Sequence, residues 1–256
     1  MKLSIITINL NNAEGLAKTI ESVREQTFHD FEYIVIDGGS NDNSYEVIEK
    51  NANIINYWVS EPDAGIYNAM NKGIVKATAE YVIFMNSGDK FIHNNTLQNV
   101  FSKEHSSDLL AGNIVIAGKR TKMKKKIPHK ITFYHFIVST IWHQATFTKR
   151  SLFYEIGLYD EELKICSDWK FAILALIKYN KSIEILNEDI ALMDAAGVSG
   201  SDEAIARIKE EHDETIKKYF PYFYDDYKEL YRLKRFTFNR LKRHIIWRLR
   251  KILYRN

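Results

Sequence analysis

One cysteine, Cys166, stands in 256 residues, so no disulfide can form within the chain and a reducing compartment suits it. No basic-then-apolar leader opens the sequence, and no run approaches the roughly 18 apolar residues of a membrane span. Secretion through a leader and a transmembrane helix are therefore not expected, and a cytoplasmic location is. The familiar phosphate loops are missing as well. No G-x-x-x-x-G-K-[ST] occurs, and "DGGSND" lacks the spacing of a G-x-G-x-x-G fingerprint, which leaves an ATPase or a NAD enzyme without support. Histidine and cysteine form no cluster with zinc spacing, and "HDETIKKYF" is not a zinc-protease motif.

What is present is a 45% hydrophobic composition, enough to bury the core of one substantial domain with an appendage. The formal net charge of +3 conceals an asymmetry. Residues 228–256 hold eleven lysines and arginines against the single Glu229, so the rest of the chain is net acidic. In that basic segment Phe238, Leu241, Ile245, Leu249 and Ile252 recur at spacings of three and four, the stripe of an amphipathic helix. Such a helix either docks on its own domain or lies on an anionic membrane surface with Trp247 and Tyr254 at headgroup depth. The membrane surface is the expected partner. Nucleic acid is not, because no recognition motif accompanies the charge.

The first hundred residues alternate two periods. The β-rich runs "LSIITI", "FEYIVI", "IINYWVS" and "EYVIFM" are separated by "GLAKTIESVREQ", "SYEVIEKN" and "IYNAMNKGIVKAT", which read as helices. Strand and helix repeated at this rhythm predict an α/β fold, a mostly parallel sheet with helices on both faces. In such sheets ligands bind beyond the carboxyl ends of the strands. The residues that follow each run are polar: Thr7, Asn9, Asn11 and Asn12; Asp37; Glu61 and Asp63; Asn86, Ser87 and Asp89. Each alone reads as a turn or helix cap, but four such loops fall on one rim. Without a glycine-rich cradle, a nucleotide held there needs its phosphate charge neutralised another way, and a divalent cation on a carboxylate is the usual one.

The order of the motifs makes a resemblance specific. "IITINLNN", "TIESVREQTFHDFEYIVIDGGSNDNS", "SEPDAGIYNAMNKGI", "YVIFMNSGD" and "HQATFTKRSLFYEIGLYDEELKICSDWKF" resemble the successive signatures of family 2 glycosyltransferases, inverting enzymes of the Rossmann-like glycosyltransferase A fold. The likeness covers roughly residues 2–200, and is greatest to transferases of bacterial capsule, exopolysaccharide and O-antigen synthesis. It implies a UDP-sugar donor of hexose or N-acetylhexosamine, a glycan or lipid-linked oligosaccharide acceptor, and Mg²⁺ or Mn²⁺ as cofactor. It implies a catalytic domain over residues 1–200 that binds donor and acceptor, and a basic helical extension over 201–256, which together suit a peripheral enzyme on the inner face of the cytoplasmic membrane.

Carried over by position, the resemblance implies that Thr7 and Asn9 line the nucleotide pocket and that Asp37 holds the uracil N–H. Asp63 and Lys72 would lie near the nucleotide, Asn86 and Ser87 near ribose and diphosphate, and His143 and Gln144 against a sugar. Asp194 would sit by the diphosphate. Where relatives read Asp-x-Asp-Asp, this chain reads Asn86, Ser87, Gly88, Asp89, so the usual metal-binding aspartate falls at Gly88. Either Asp89 takes over the metal, which is the expectation adopted, or metal binding is weak and Lys72 shares the phosphate charge. Inverting transfer needs a base opposite the leaving group, and the resemblance places it at Asp168 in "ICSDWKF". Ser167 or Asp168 also suits a helix cap. Trp169 reads either as a sugar platform or as core, and Cys166 as a small buried thiol. The lysine-rich "AGKRTKMKKKIPHK" reads as a solvated hairpin tip or as a basic lip toward an anionic acceptor.

Two other classes compete. A sugar-nucleotide nucleotidyltransferase would carry a basic, glycine-rich loop after the first strand, and "TINLNNAEG" has none. A catalytically silent nucleotide-binding protein is compatible with the weakened acidic motif.

Overall fold

The structure, a computed structural model, describes residues 1–118, 121–194 and 202–233. The apolar stripe of the basic C-terminal segment lies outside the described residues, as do Lys119, the stretch 195–201 and the side chain of Asp194. The elements run β1 (Leu3–Asn9), α1 (Ala13–Arg24), β2 (Phe31–Asp37), α2 (Ser44–Lys50), β3 (Tyr57–Ser60), α3 (Ile66–Lys76), β4 (Tyr81–Phe84), β5 (Lys90–Phe91) and α4 (Thr96–Phe101). There follow β6 (Leu109–Ala117), β7 (Lys122–Lys125), α5 (Phe133–Val138), β8 (Thr146–Lys149), α6 (Leu152–Glu155), α7 (Ser167–Ile173), β9 (Ile183–Asp194) and α8 (Asp202–Tyr219). A 3₁₀ turn, His143–Ala145, leads into β8.

The strands form one sheet in the order β3-β2-β1-β4-β8-β6-β9-β5, with β7 paired to β6. Its first four strands are parallel, as the strand–helix rhythm predicts. The second half is different: β8 runs antiparallel to both β4 and β6, and β9 returns parallel to β6. The lysine-rich stretch forms an antiparallel hairpin, with Lys122 and Lys124 exposed on β7.

Alternate residues of the central strands feed two cores, because successive side chains point to opposite faces. Ile6, Ile8, Ile34 and Ile36 pack with Met70 and Ile74 of α3, while Leu3, Ile5, Tyr33 and Val35 pack with Leu16, Ile20 and Val23 of α1. Helix α3 lies close enough to β1 that a Cβ on Gly73 would fall 2.5 Å from Ile6. Ile216, Phe220 and Tyr227 join the first core, so residues 202–233 pack as part of the same body as the sheet. Among the described residues no helix is long and apolar enough to cross a membrane.

Candidate active site

The carboxyl ends of β1, β2 and β4 meet on one rim, and two polar clusters form there. In the first, Asp37 is fully buried and its carboxylate accepts four hydrogen bonds: from Asn9 Nδ2 at 2.7 Å, Ser40 Oγ at 2.5 Å, Ser40 N at 2.9 Å and Ser60 Oγ at 2.6 Å. Burial alone would raise its pKa, but the Ser40 and Ser60 hydroxyls and the Asn9 amide outweigh it and hold the group below its ordinary value. Asp63 closes over this cluster. Its Oδ1 accepts from Gly65 N at 2.8 Å, and its Oδ2 would be 2.4 Å from a Cβ at residue 38, so a side chain there would push the Asp63 carboxylate aside.

The second cluster is the turn after β4. Ser87 N donates to Ile8 O at 3.1 Å and extends the sheet ladder by one residue. The chain then swings through Gly88 at φ +102°, a conformation that favours glycine. Thr19 of α1 pins the turn from below: its fully buried hydroxyl accepts from Gly88 N at 3.0 Å and donates to Asp89 O at 2.7 Å. Asn12 Nδ2 reaches Ser87 O at 3.2 Å and ties the turn to the loop after β1.

The 3₁₀ turn joins this cluster to helix α7. Gln144 Nε2 donates to Asp89 Oδ2 at 3.1 Å. Its neighbour His143 has Nε2 3.3 Å from Asn86 Nδ2 and Nδ1 2.9 Å from Asp168 Oδ2. With the Asn86 amide donating to Nε2, the ring proton sits on Nδ1 and is donated to Asp168. Tyr67 of α3 also approaches Asp168, at 3.1 Å from Oδ1. Burial pushes the Asp168 carboxyl up, yet the hydrogen bonds it accepts from His143, from the Trp169 N–H and from Tyr67 hold it below its ordinary value, so it is an anion at neutral pH. Tyr67 is raised by burial and by that anion, and stays a neutral donor.

Among the described residues, three buried side-chain oxygens find no partner: Asn9 Oδ1, Asn86 Oδ1 and Ser87 Oγ. All three lie on this rim. A buried polar atom left unpaired costs about 1–3 kcal/mol, so their convergence marks a place shaped for a polar ligand.

The structure thus brings Asn86, Ser87, Asp89, His143, Gln144 and Asp168 into one network and Asn9 and Asp37 into a second beside it, with Asp63 over Gly38 next to the second and bonded to Gly65 N. Two predicted residues stand apart. Thr7 is fully buried one layer deeper, bonded to Tyr33 Oη at 2.9 Å and Met85 O at 2.7 Å, so it braces the floor of the site instead of lining it. Lys72 is drawn to Glu61 at 2.7 Å and Pro62 O at 3.3 Å, which commits its ammonium to the β3–α3 loop. Neither Ser167 nor Asp168 caps α7. Cys166 holds the cap position without a side-chain capping bond, and Ser167 Oγ accepts from Asp160 N at 2.5 Å. Trp169 is buried, donates to Phe136 O at 3.0 Å and stacks on His212 at 3.6 Å, which makes it core and removes it as a sugar platform. Cys166 is buried and its thiol is raised by burial, as expected of an inert packing residue.

Sequence reasoning passed over Thr19, Tyr67 and Ser40. Thr19 left one trace, a polar residue in the otherwise apolar face Leu16, Ile20, Val23 of α1.

A parallel sheet whose acids gather at its carboxyl rim, continued by antiparallel strands that carry the second wall, is a glycosyltransferase A fold. The crystal structure of Staphylococcus aureus TarS 1–349 in complex with UDP-GlcNAc shares it with TM-score 0.67 at 20% identity, over 85% of this chain and 67% of that one. The mannosyltransferase PcManGT from Pyrobaculum calidifontis, in complex with GDP-Man and Mn²⁺, does so with TM-score 0.65 at 16% identity, over 90% of this chain and 69% of that one. The family model for glycosyl transferase family 2 matches residues 4–161, more than half of the sequence, and the chain belongs to that family. A PGL/p-HBAD biosynthesis glycosyltransferase of Mycobacterium bovis is 33% identical over 177 residues, 66% of this chain and 68% of the relative. The poly(ribitol-phosphate) beta-N-acetylglucosaminyltransferase TarP of Staphylococcus aureus is 35% identical over 136 residues, 50% of this chain and 41% of the relative.

Proposed function

We propose that the protein is an inverting transferase that moves a hexose or N-acetylhexosamine from a UDP-sugar to a hydroxyl of a lipid-carried glycan in bacterial surface polysaccharide synthesis. The observation that carries this reading is His143, which touches Asn86 on the phosphate side and Asp168 on the acceptor side. Leaving-group corner and base belong to one hydrogen-bonded unit, the arrangement an in-line displacement requires. The UDP-GlcNAc complex of TarS, a neighbour in fold, supports a uridine donor.

In this reading the uracil meets Asn9 and Asp37. The four bonds already held by Asp37 mean that a serine hydroxyl turns away when the base N–H arrives. Asp63, above Gly38, faces the ribose side. The donor set at residues 86–89 is one carboxylate with a hydroxyl and an amide oxygen, the latter two orphaned, and it suits a hard, oxygen-seeking cation. Among the described residues no three His, Cys, Asp or Glu cluster to hold a metal alone, so Mg²⁺ or Mn²⁺ at Asp89 would share the donor's diphosphate. Such an ion supplies charge stabilisation for the departing UDP. Asp168 accepts the proton of the attacking hydroxyl, while His143 fixes the carboxylate's orientation from the opposite side. The basic segment beyond residue 233, adjoining a body that is otherwise acidic, holds the enzyme at the anionic inner membrane face.

The test is release of UDP from a panel of UDP-sugars with an acceptor glycan, with and without EDTA. Asp168→Asn is expected to abolish transfer while UDP affinity stays nearly unchanged. More than a tenth of wild-type turnover in that variant refutes the assignment of the base, and pyrophosphate-dependent formation of UTP would make the protein a nucleotidyltransferase instead.

A further inference from the structure

The segment preceding α7 carries a feature that the reaction as described does not use. Glu211 of α8 is buried, at 3% exposure, and its carboxylate faces three consecutive backbone N–H groups. Oε1 accepts from Lys164 N at 2.8 Å, and Oε2 from Ile165 N at 3.1 Å and Cys166 N at 2.9 Å. Cys166 is the cap residue of α7 and offers no side-chain capping bond; its thiol turns to Ile208 O at 3.9 Å. These N–H groups belong to the two residues before α7 and to its cap residue, so a side chain of a different helix fixes the chain where it enters α7.

Two further contacts transmit that grip to Asp168. The Ile165 peptide is held on both sides, its N–H by Glu211 and its carbonyl by the Tyr67 hydroxyl at 2.5 Å, the same hydroxyl that stands 3.1 Å from Asp168. On the other side of Asp168, the ring of Trp169 stacks on His212 with an interplanar angle of 14°. Consecutive residues of α8 therefore bracket Asp168, Glu211 before it and His212 after it. Helix α8 lies beyond residue 161, where the family match ends.

We propose that Glu211 is a positioning residue: its carboxylate sets the start of α7 and thereby the placement of the Asp168 base against the acceptor hydroxyl. The inference rests on the reading of Asp168 given above. It makes the described part of the C-terminal extension a component of catalysis and separates it from any membrane role of the basic segment.

The experiment compares Glu211→Ala and Glu211→Gln with wild type in the full chain, with turnover normalised to the number of UDP-binding sites titrated in each preparation. For Glu211→Ala, kcat per binding-competent site should fall about ten- to a hundredfold, the cost of a small misplacement at the reacting centre, while the KM for the UDP-sugar stays within about twofold. Glu211→Gln keeps the shape and one acceptor oxygen, so it should recover part of the loss.

A purely structural role would lower the fraction of competent protein and leave kcat per site unchanged, which overturns the proposal. If Glu211→Ala does not fold, the ranking rests on Glu211→Gln, and wild-type kcat per site in that variant is the same refutation. Silence of Asp168→Asn with full turnover of the Glu211 variants sinks this inference alone. Turnover by Asp168→Asn sinks the reading beneath it.

Discussion

Replacing Thr19 by valine keeps the volume of the side chain and removes one oxygen from beneath the turn at residues 86–89. That oxygen accepts from Gly88 N at 3.0 Å and donates to Asp89 O at 2.7 Å, in a position with no exposed surface. Valine removes the hydroxyl partner of Gly88 N and one partner of Asp89 O, and a buried polar group that loses its bond costs about 1–3 kcal/mol. The turn itself is half-exposed at Asn86, Ser87 and Gly88, so water entering from the rim recovers part of this, and a loss of about 2 kcal/mol is expected. In a domain of this length that corresponds to a fall in Tm of roughly 4–8 °C. The same change releases the backbone that carries Ser87 and Asp89, and UDP-sugar affinity should drop with it. Thr19→Ser is the control: it keeps the oxygen and gives up one buried methyl, at about 1 kcal/mol. Thermal melts with circular dichroism and calorimetric titration with UDP-sugar measure both quantities. A valine variant as stable as the serine variant, with wild-type donor affinity, would refute the reasoning that Thr19 holds the corner.

Two other outcomes follow from the geometry. His143→Phe removes the largest of the hydrogen bonds that together outweigh burial at Asp168. The native pKa of that carboxylate then rises, and with the Asp168 anion as the proposed base, transfer should fail at a higher pH than in wild type as the solution is acidified. A kcat–pH profile checks this, and an unmoved acid limb contradicts it. Ending the chain after Leu233 removes the basic segment and leaves the described core, including Glu211. It should reduce sedimentation with anionic liposomes and spare UDP-sugar hydrolysis, and equal sedimentation of both forms rules the anchor out.

The parallel half of the sheet was legible because its strands and helices are local and their periods are plain. Helix α3 starts at Ile66, where the "IYNAMNKGIVKAT" segment begins, β4 falls inside its quoted run, and β1 and β2 each run one residue past theirs. The antiparallel half was not, since β8 finds β4 and β6 across long stretches of chain, a pairing no local period encodes. The misplacement of Thr7 has a similar cause. Every residue of β1 is buried, so the strand reads as a continuous apolar run and hides which face each side chain takes. Thr7 lies on the α1 face with Tyr33, away from the rim. Asp89, His143, Gln144 and Asp168 were visible individually through the family resemblance, but their assembly into one network was not. That network depends on a turn of three residues setting two neighbours against different elements. Glu211 left no readable mark, because an acid among the many charges of "DEAIARIKEEHDETIKKY" looks like any solvated residue.

His143 and Gln144 are joined by a single peptide bond, and one holds Asp168 while the other holds Asp89. In the proposed reading, the residue that would hold the departing phosphate and the one that would take the proton are thus tied to adjacent positions of one short turn. A displacement of that turn would carry both carboxylates' partners with it, so the two ends of the reaction would shift together.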